Sequence, residues 1–126
     1  MISYGRQSID EDDIAAVAAV MKGEWLTQGP AIEAFEQAIT AVTGARHAVA
    51  FSNGTATLHG CAVAAELGSD DLLVTSPLTF MASANCGRFV GASIDLIDID
   101  PTTLNLDPTR IGSDVDALVA VHYAGL

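Results

Sequence analysis

The spacing of apolar residues changes along this chain. In the N-terminal part, apolar residues recur three and four positions apart, which places them on one face of a helix. A first predicted helix has Ser8 as N-cap in a capping box with Glu11, and it ends at Gly23. A second begins at Pro30 and ends at Gly44. The apolar stripes of the two helices are Ile14, Val17, Ala18 and Met21, then Ile32, Phe35, Ile39 and Val42.

Further along, short apolar runs alternate with helical segments. The runs predict buried strands at 48–51, 72–74, 93–99 and 117–121, with helices at 54–67 and 79–90. Strands separated by helices require crossover connections, so the pattern predicts an α/β fold with a mostly parallel sheet flanked by helices. We therefore divide the chain into a helical segment, residues 1–45, and the first part of an α/β domain, residues 46–126. No closing helix follows the last strand, so we expect an incomplete sheet and a fragment of a longer protein.

The clearest candidate for binding chemistry is the turn Ser52–Thr57 (SNGTAT), between the first predicted strand and its helix. The first N–H groups of a helix lack internal partners and the helix dipole is positive there, so this turn suits a phosphate. Gly54 allows close approach of a ligand, and Thr55 adds a hydroxyl. The same residues also suit an ordinary helix cap, so the local chemistry leaves both interpretations open.

Two other segments are candidates for ligand contacts. Ser76–Phe80 follows the next buried strand and therefore lies at the same edge of the sheet, where Phe80 could lie flat on a planar cofactor. A core position for Phe80 is the alternative. The single tryptophan, Trp25, lies in a polar loop between the first two helices, where function and simple packing are both plausible.

Composition excludes several classes of function. With 16 acidic and 5 basic residues, the net charge of −11 would repel nucleic acid and anionic membranes. The sequence has no apolar run typical of a membrane span and no signal peptide, so we expect a cytoplasmic protein with Cys61 and Cys86 as reduced buried thiols. No metal is predicted, because the His and Cys spacing does not suit zinc and the nearby acids fit a solvated strand end.

Taken in order, these segments resemble the DegT/DnrJ/EryC1/StrS family of sugar aminotransferases. The resemblance covers essentially the whole chain, and it rests on the order and spacing of short motifs rather than on any one of them. These motifs are Tyr4-Gly5-Arg6-Gln7, Leu26–Pro30, Phe35-Glu36, Ser52–Ala56, Ser76–Phe80, Ala82–Asn85, Gly91-Ala92, Asp98–Pro101 and Val121–Gly125. Within the family, the likeness is greatest to the transaminases of pseudaminic acid synthesis, which act on a UDP-linked 4-keto-6-deoxy-N-acetylhexosamine.

The resemblance implies a fold type I enzyme that uses pyridoxal 5′-phosphate (PLP), of which this chain would form the N-terminal part of the large domain. Gly54, Thr55 and Ala56 would hold the PLP phosphate, and Phe80 would stack on the pyridine ring. The implied substrate-binding residues are Tyr4, Glu24, Trp25, Leu26 and Thr27. The resemblance further implies a nucleotide-sugar substrate, glutamate as amino donor and a homodimer when the protein is complete.

The resemblance implies no catalytic residue within the chain. In the family pattern, the Schiff-base lysine and the aspartate that pairs with the pyridine nitrogen lie beyond Leu126. Lys22, the single lysine, suits the last turn of the first helix instead. We therefore expect the chain alone to be inactive, and its unfinished apolar surface to make it poorly soluble or oligomeric. Two alternatives stay open: a non-enzymatic α/β module that binds a phosphorylated ligand, and a PLP-dependent sugar dehydratase of the same family, with a histidine in place of that lysine.

Overall fold

A computed structural model gives the structure of residues 6–125, which form two compact units that divide between Ala50 and Phe51. The first unit contains two helices, α1 (Glu11–Lys22) and α2 (Pro30–Thr43). The second unit contains α3 (Gly54–Ala64), β1 (Leu72–Thr75), α4 (Ala82–Phe89), β2 (Ser93–Leu96) and β3 (Ala117–Val119). Short 3-10 turns lie between β2 and β3 at Pro108–Arg110 and after β3 at Tyr123–Gly125. Helices first and alternating strands and helices afterwards are the order that the apolar pattern predicts.

The start of α1 differs from the sequence prediction. Asp10, not Ser8, is the N-cap, and its Oδ1 accepts hydrogen bonds from the N–H groups of Asp12 and Asp13 at 3.0 Å each. Asp13 completes the capping box by accepting the N–H of Asp10 at 3.1 Å. A carboxylate is charged and so is a stronger acceptor at the positive end of a helix than a neutral serine hydroxyl. The prediction of a Ser8 cap paired with Glu11 is therefore wrong.

Helix α2 has the predicted bounds but an uncovered apolar face. It begins at Pro30 and ends at Gly44, whose left-handed φ of 72° and N–H bond to the Thr40 carbonyl close the last turn. Neither α1 nor α2 contains a buried residue. The side chains of the α2 stripe are exposed at Ile32 46%, Phe35 56%, Ile39 38% and Val42 86%. The amphipathic pattern thus predicts the helices correctly, while the described residues do not cover their apolar faces.

The predicted strand at 48–51 is absent. Val49 is 71% exposed, and the N–H of Ala50 donates to Glu36 Oε1 at 2.8 Å rather than to a neighbouring strand. Phe51 places its ring against Gly60 of α3, where a Cβ would lie 2.6 Å from the ring. A parallel strand exists only when a neighbour supplies its ladder, and among the described residues no ladder reaches this segment. An apolar run indicates burial but does not by itself supply a pairing partner.

The second unit is built on a three-stranded parallel sheet with the order β2-β1-β3. The central strand pairs Leu73 with Ile94 on one side and with Ala117 on the other. Strands β2 and β3 are shorter than the predicted 93–99 and 117–121. After β2 the chain leaves the ladder and forms a single antiparallel bridge from Ile99 to Leu106. A parallel sheet flanked by helices is confirmed.

The core lies where α3 and α4 pack on β1. Leu73 and Cys86 are 1% and 2% exposed, and Ala62 of α3 completes the cluster. Burial raises the pKa of the Cys86 thiol, whose Sγ donates to the Ser83 carbonyl at 3.3 Å. Both cysteines are free thiols, but Cys61 is exposed and not buried as expected, and it is not part of this cluster.

Candidate functional site

The turn at Asn53 starts α3 and leaves two backbone donors without partners. Asn53 is extended, with φ −169°, and its Oδ1 accepts the N–H of Ala56 at 2.9 Å. The N–H of Thr57 donates to the Asn53 carbonyl. Within residues 6–125, the N–H groups of Gly54 and Thr55 donate to no protein acceptor. A helix cap and a phosphate site at this turn are therefore compatible, because the Asn53 side chain accepts the N–H of Ala56 and leaves the N–H groups of Gly54 and Thr55.

Space is available in front of these donors. A Cβ built on Gly54 would meet no atom within 4 Å, so the first turn is open on that side. Thr55 is half-buried and its hydroxyl makes no hydrogen bond within the described chain. The positive end of the helix, two free N–H groups and a free hydroxyl form a donor set that suits an anion with several oxygens.

The segment between β1 and α4 brings an aromatic ring to the same place. Ser76, only 2% exposed, accepts the N–H of Leu78 on its Oγ at 3.0 Å. Thr75 is fully buried and donates from Oγ1 to the Val119 carbonyl at 2.9 Å, which ties the end of β1 to β3. Phe80 lies beyond these anchors with its side chain 75% exposed. Phe80 is therefore not a core residue. The other interpretation of this residue, contact with a planar ligand, remains.

One cleft of about 470 Å³ joins the two segments. It is lined by Gly54, Thr55, Thr57 and Leu58 on the α3 side and by Phe80, Ala82 and Ser83 on the other. Most of its wall is apolar, and Ser83 adds a hydroxyl that lies 2.8 Å from Thr79 Oγ1. The structure thus brings Gly54, Thr55 and Phe80 together as expected, although among the described residues a strand precedes only the Phe80 segment and none precedes α3. Sequence reasoning missed Ser83, although its position one helical turn after Thr79 is a usable signal.

A second cleft, of about 490 Å³, lies within the first unit. Trp25, 60% exposed, lines it together with Gln28, Gly29 and the first turns of α2. Gly29 is required there because a Cβ would lie 2.6 Å from the Trp25 Cβ. The other loop residues predicted to contact substrate, Glu24, Leu26 and Thr27, are exposed and do not line this cleft. Tyr4 lies outside the described residues.

The acidic residues after β2 are held by donors of their own loop. The hydroxyl and N–H of Thr109 hold the pKa of the Asp107 carboxyl below its usual value, with Arg110 adding to the effect. The N–H groups of Thr103 and Thr102 lower the pKa of Asp100 in the same way. Among residues 6–125 there is no group of three or more His, Cys, Asp or Glu side chains placed to hold a metal ion. The same residues include no helix with the length and apolarity needed to cross a membrane.

A comparison of the sequence with models of known protein families decides which family the chain belongs to. The model of the DegT/DnrJ/EryC1/StrS aminotransferase family matches residues 7–126, nearly the whole chain. The chain belongs to this family. Its enzymes use PLP, so the cleft between α3 and Phe80 can be compared with what that cofactor needs.

Solved structures of family members show the same fold. The aminotransferase PseC of Helicobacter pylori, involved in the biosynthesis of pseudoaminic acid, is 29% identical, with a TM-score of 0.87 over 98% of this chain and 34% of that one. Spr1654 of Streptococcus pneumoniae, a proposed sugar aminotransferase solved in a PMP form, is 25% identical with a TM-score of 0.90 over 98% and 32%. An aminotransferase from Psychrobacter cryohalolentis is 26% identical with a TM-score of 0.84 over 93% and 31%.

The chain therefore spans about a third of the length of these relatives. Its sheet and helices correspond to part of a fold type I aminotransferase, which confirms the predicted fold class. The family members and solved relatives are PLP-dependent aminotransferases. The donor set of the α3 turn fits the phosphate of such a cofactor, and the exposed Phe80 fits its flat ring.

Proposed function

We propose that this chain carries the phosphate-binding and ring-binding part of the PLP site of a nucleotide-sugar aminotransferase. The observation that supports it most is the pair of N–H groups at Gly54 and Thr55, which donate to no described acceptor and face the same cleft as Phe80. A helix N-terminus with free donors attracts a phosphate dianion. An exposed aromatic side chain offers its face to a second ring.

The residues of this cleft bind and orient the cofactor. The N–H groups of Gly54 and Thr55, with the Thr55 hydroxyl, hold the phosphate. Ala56 helps to hold the first turn of α3 in place. Its N–H donates to Asn53 Oδ1 and is therefore not available to the phosphate. Phe80 covers one face of the pyridine ring and excludes water from it. When bound, the cofactor supplies the electron sink that allows an amino group to be moved.

Trp25 and its loop are the proposed contacts of the sugar substrate. An exposed indole beside a cleft of about 490 Å³ has the size and flat surface that suit a sugar or a base. We include Tyr4, Glu24, Leu26 and Thr27 in this role on the strength of the family pattern. The substrate that this assignment favours is a nucleotide-linked 4-keto-6-deoxy sugar, because PseC acts in pseudoaminic acid biosynthesis. The amino donor is glutamate and the complete protein is a homodimer.

The chain alone is proposed to be inactive as a transaminase. Its only lysine, Lys22, ends α1 in the first unit. The second unit, which holds the cleft between α3 and Phe80 (the α3 cleft), therefore contains no lysine. Turnover by a family enzyme requires a lysine amine at the cofactor. In this proposal the chain supplies binding and orientation, and Lys22 does not serve as that amine.

A matched pair of substitutions at one residue tests the phosphate assignment. Gly54→Pro removes one free N–H at the first helical position, where proline fits, and the extended Asn53 before it is compatible with proline. Gly54→Ala keeps the N–H and adds the same Cβ into open space. The ligand is pyridoxamine 5′-phosphate, followed by its fluorescence, because it carries no aldehyde that could react with Lys22.

We expect Gly54→Pro to bind pyridoxamine 5′-phosphate about tenfold more weakly than Gly54→Ala, the loss typical of one hydrogen bond to a charged group. Pyridoxamine without phosphate should show no difference between the two variants. Equal affinity of the two variants for the phosphorylated ligand would contradict the phosphate assignment. Equal affinity of the unchanged chain for inorganic phosphate and for pyridoxamine 5′-phosphate would favour the non-enzymatic phosphate-binding module instead.

A further inference from the structure

Two hydroxyl groups form an isolated pair beside Phe80. Thr79 Oγ1 and Ser83 Oγ lie 2.8 Å apart, so one donates to the other. Ser83 is 7% exposed and lines the α3 cleft, while Thr79 is half-buried. Within residues 6–125, neither hydroxyl makes another hydrogen bond. The pair is therefore a dedicated contact between the residue before Phe80 and the first turn of α4.

A second bond holds the other side of the same residue. The N–H of Ser83 donates to the Phe80 carbonyl at 3.0 Å. Ser83 thus fixes the backbone on both sides of the Phe80 Cα, through its side chain before it and through its N–H after it. The Phe80 ring is 75% exposed, so contacts with other side chains do little to set its direction. The backbone here sets the direction of the Phe80 Cα–Cβ bond and the χ1 rotamers open to the ring, so the space that the ring can reach depends on how firmly this short piece of backbone is held.

We propose that Thr79 and Ser83 are positioning residues that aim the Phe80 ring over the cleft. They set the affinity of the cleft for a flat, ring-bearing ligand and leave the affinity for its phosphate to the first turn of α3. The identity of that ligand rests on the function proposed above, whereas the restraint on Phe80 does not. Because the two hydroxyls act only through each other, removing either one should have the whole effect of removing both.

The test compares Thr79→Val, Ser83→Ala and the double variant. Each should bind pyridoxamine 5′-phosphate about fivefold more weakly than the unchanged chain, the loss typical of one neutral hydrogen bond. Inorganic phosphate should bind all of them equally. The double variant should match the single variants, since an interaction that both single substitutions remove is lost only once. Losses that add in the double variant, or an equal loss for inorganic phosphate, would overturn the proposal.

Two further variants separate positioning from general stability. Thr79→Ser keeps the hydroxyl and should restore the affinity of the unchanged chain. Thr40→Val makes the same chemical change in α2, where the hydroxyl donates only to the Gln37 carbonyl, and should leave binding unchanged. Melting temperatures of all variants are measured alongside. A Thr79→Ser variant as weak as Thr79→Val would show that the hydroxyl alone does not restore binding, which would contradict the role of the hydroxyl pair.

Hydrogen exchange at the Ser83 amide distinguishes failure of this proposal from failure of the proposed function. If the unchanged chain does not bind pyridoxamine 5′-phosphate, the cofactor assignment fails, and the exchange rate still decides the role of the pair. We expect Thr79→Val to speed exchange at Ser83 about fivefold, with exchange at the Leu73 amide unchanged. An unchanged rate at Ser83 would refute the restraint on Phe80, whatever the ligand.

Discussion

Gly87 lies on the face of α4 that meets the sheet, and replacing it by alanine should destabilise the second unit. A Cβ at this position would lie 2.6 Å from Ile94 Cδ1, 3.1 Å from Leu73 Cδ1 and 3.2 Å from Leu73 Cβ. Leu73 is 1% exposed on the central strand, so it has no room to retreat. Helix propensity alone would make a glycine here unfavourable, whereas the structure makes Gly87 the reason that α4 can approach β1 and β2.

Two effects of opposite sign set the magnitude. Alanine is favoured over glycine inside a helix by about 1 kcal/mol. Inserting a methyl group into a packed core costs about 1–3 kcal/mol, and two of the three close atoms belong to the buried Leu73. The terminal methyl of Ile94 can rotate away, but Leu73 Cβ moves only with its strand. We therefore expect packing to win and the free energy of unfolding to fall by up to about 2 kcal/mol.

Urea denaturation followed by circular dichroism measures this difference, and thermal melting checks it. For a domain of this size, 1 kcal/mol corresponds to a shift of about 4–8 °C in melting temperature. The matched control is Gly68→Ala, because a Cβ there would meet nothing within 4 Å. Its unfolding free energy should change by less than about 0.5 kcal/mol. A Gly87→Ala chain as stable as the unchanged chain, or more stable, would refute the close-packing argument.

Three further predictions concern other parts of the chain. Asp10→Ala should lower the stability of α1 by about 1 kcal/mol, seen as faster amide exchange at its start, while Ser8→Ala should have no effect. Thr109→Val removes the hydroxyl that donates to Asp107, so it should raise the pKa of Asp107 towards the ordinary 3.8. The pKa of Asp100, held by Thr102 and Thr103, should stay lowered, as measured by NMR titration. The purified chain should self-associate and bind a hydrophobic dye, because its helices expose apolar stripes. A dye-free monomer by light scattering would contradict the last of these.

The sign of the pH effect follows from the lowered carboxyl pKa values. Asp100 and Asp107 bind a proton less readily in the folded loop than at the ordinary carboxyl pKa of 3.8. Their contribution to stability is therefore fully present above that pH and is lost as the pH falls through their lowered values. Amide exchange at Thr103 and Thr109 should stay slow at pH 5 and speed up in strong acid beyond its intrinsic pH dependence. Protection that is equal at pH 5 and pH 2 would contradict this account.

The sequence predicts an element well where composition marks its ends. Gly44 and the strand at β1 stand out in the pattern, and both lie where it places them. The segment 48–51 does not form a strand, because an apolar run carries no information about which neighbour will supply its ladder. The predicted N-cap of α1 is wrong for a different reason. Serine and aspartate both suit this position, and only the geometry shows which one meets the free N–H groups.

For the candidate site, sequence reasoning finds residues at the ends of strands and misses those that support them. Phe80 follows from the rule that ligands bind at the carboxyl ends of parallel strands, whereas Gly54 and Thr55 follow from the free N–H groups expected at a helix N-terminus. Ser83 lies in the first turn of α4, and its spacing from Thr79 alone does not separate a cleft hydroxyl from an ordinary buried serine. Its role becomes visible only through the 2.8 Å contact with Thr79. The bond from Ala56 to Asn53 is equally invisible in the sequence, and it decides which N–H groups remain free.

The exposure of Phe80 has a consequence for how this protein can change. The residue is 75% exposed, yet it follows a strand whose last residue, Thr75, is fully buried and tied to β3. Replacing Phe80 by tryptophan, tyrosine or histidine alters the ring presented to a ligand while leaving the core contacts of β1 intact. Such a position can accept mutations without the stability cost that core mutations carry. On the proposed role of Phe80, ligand preference could therefore be changed at residue 80 without disturbing the framework that carries it.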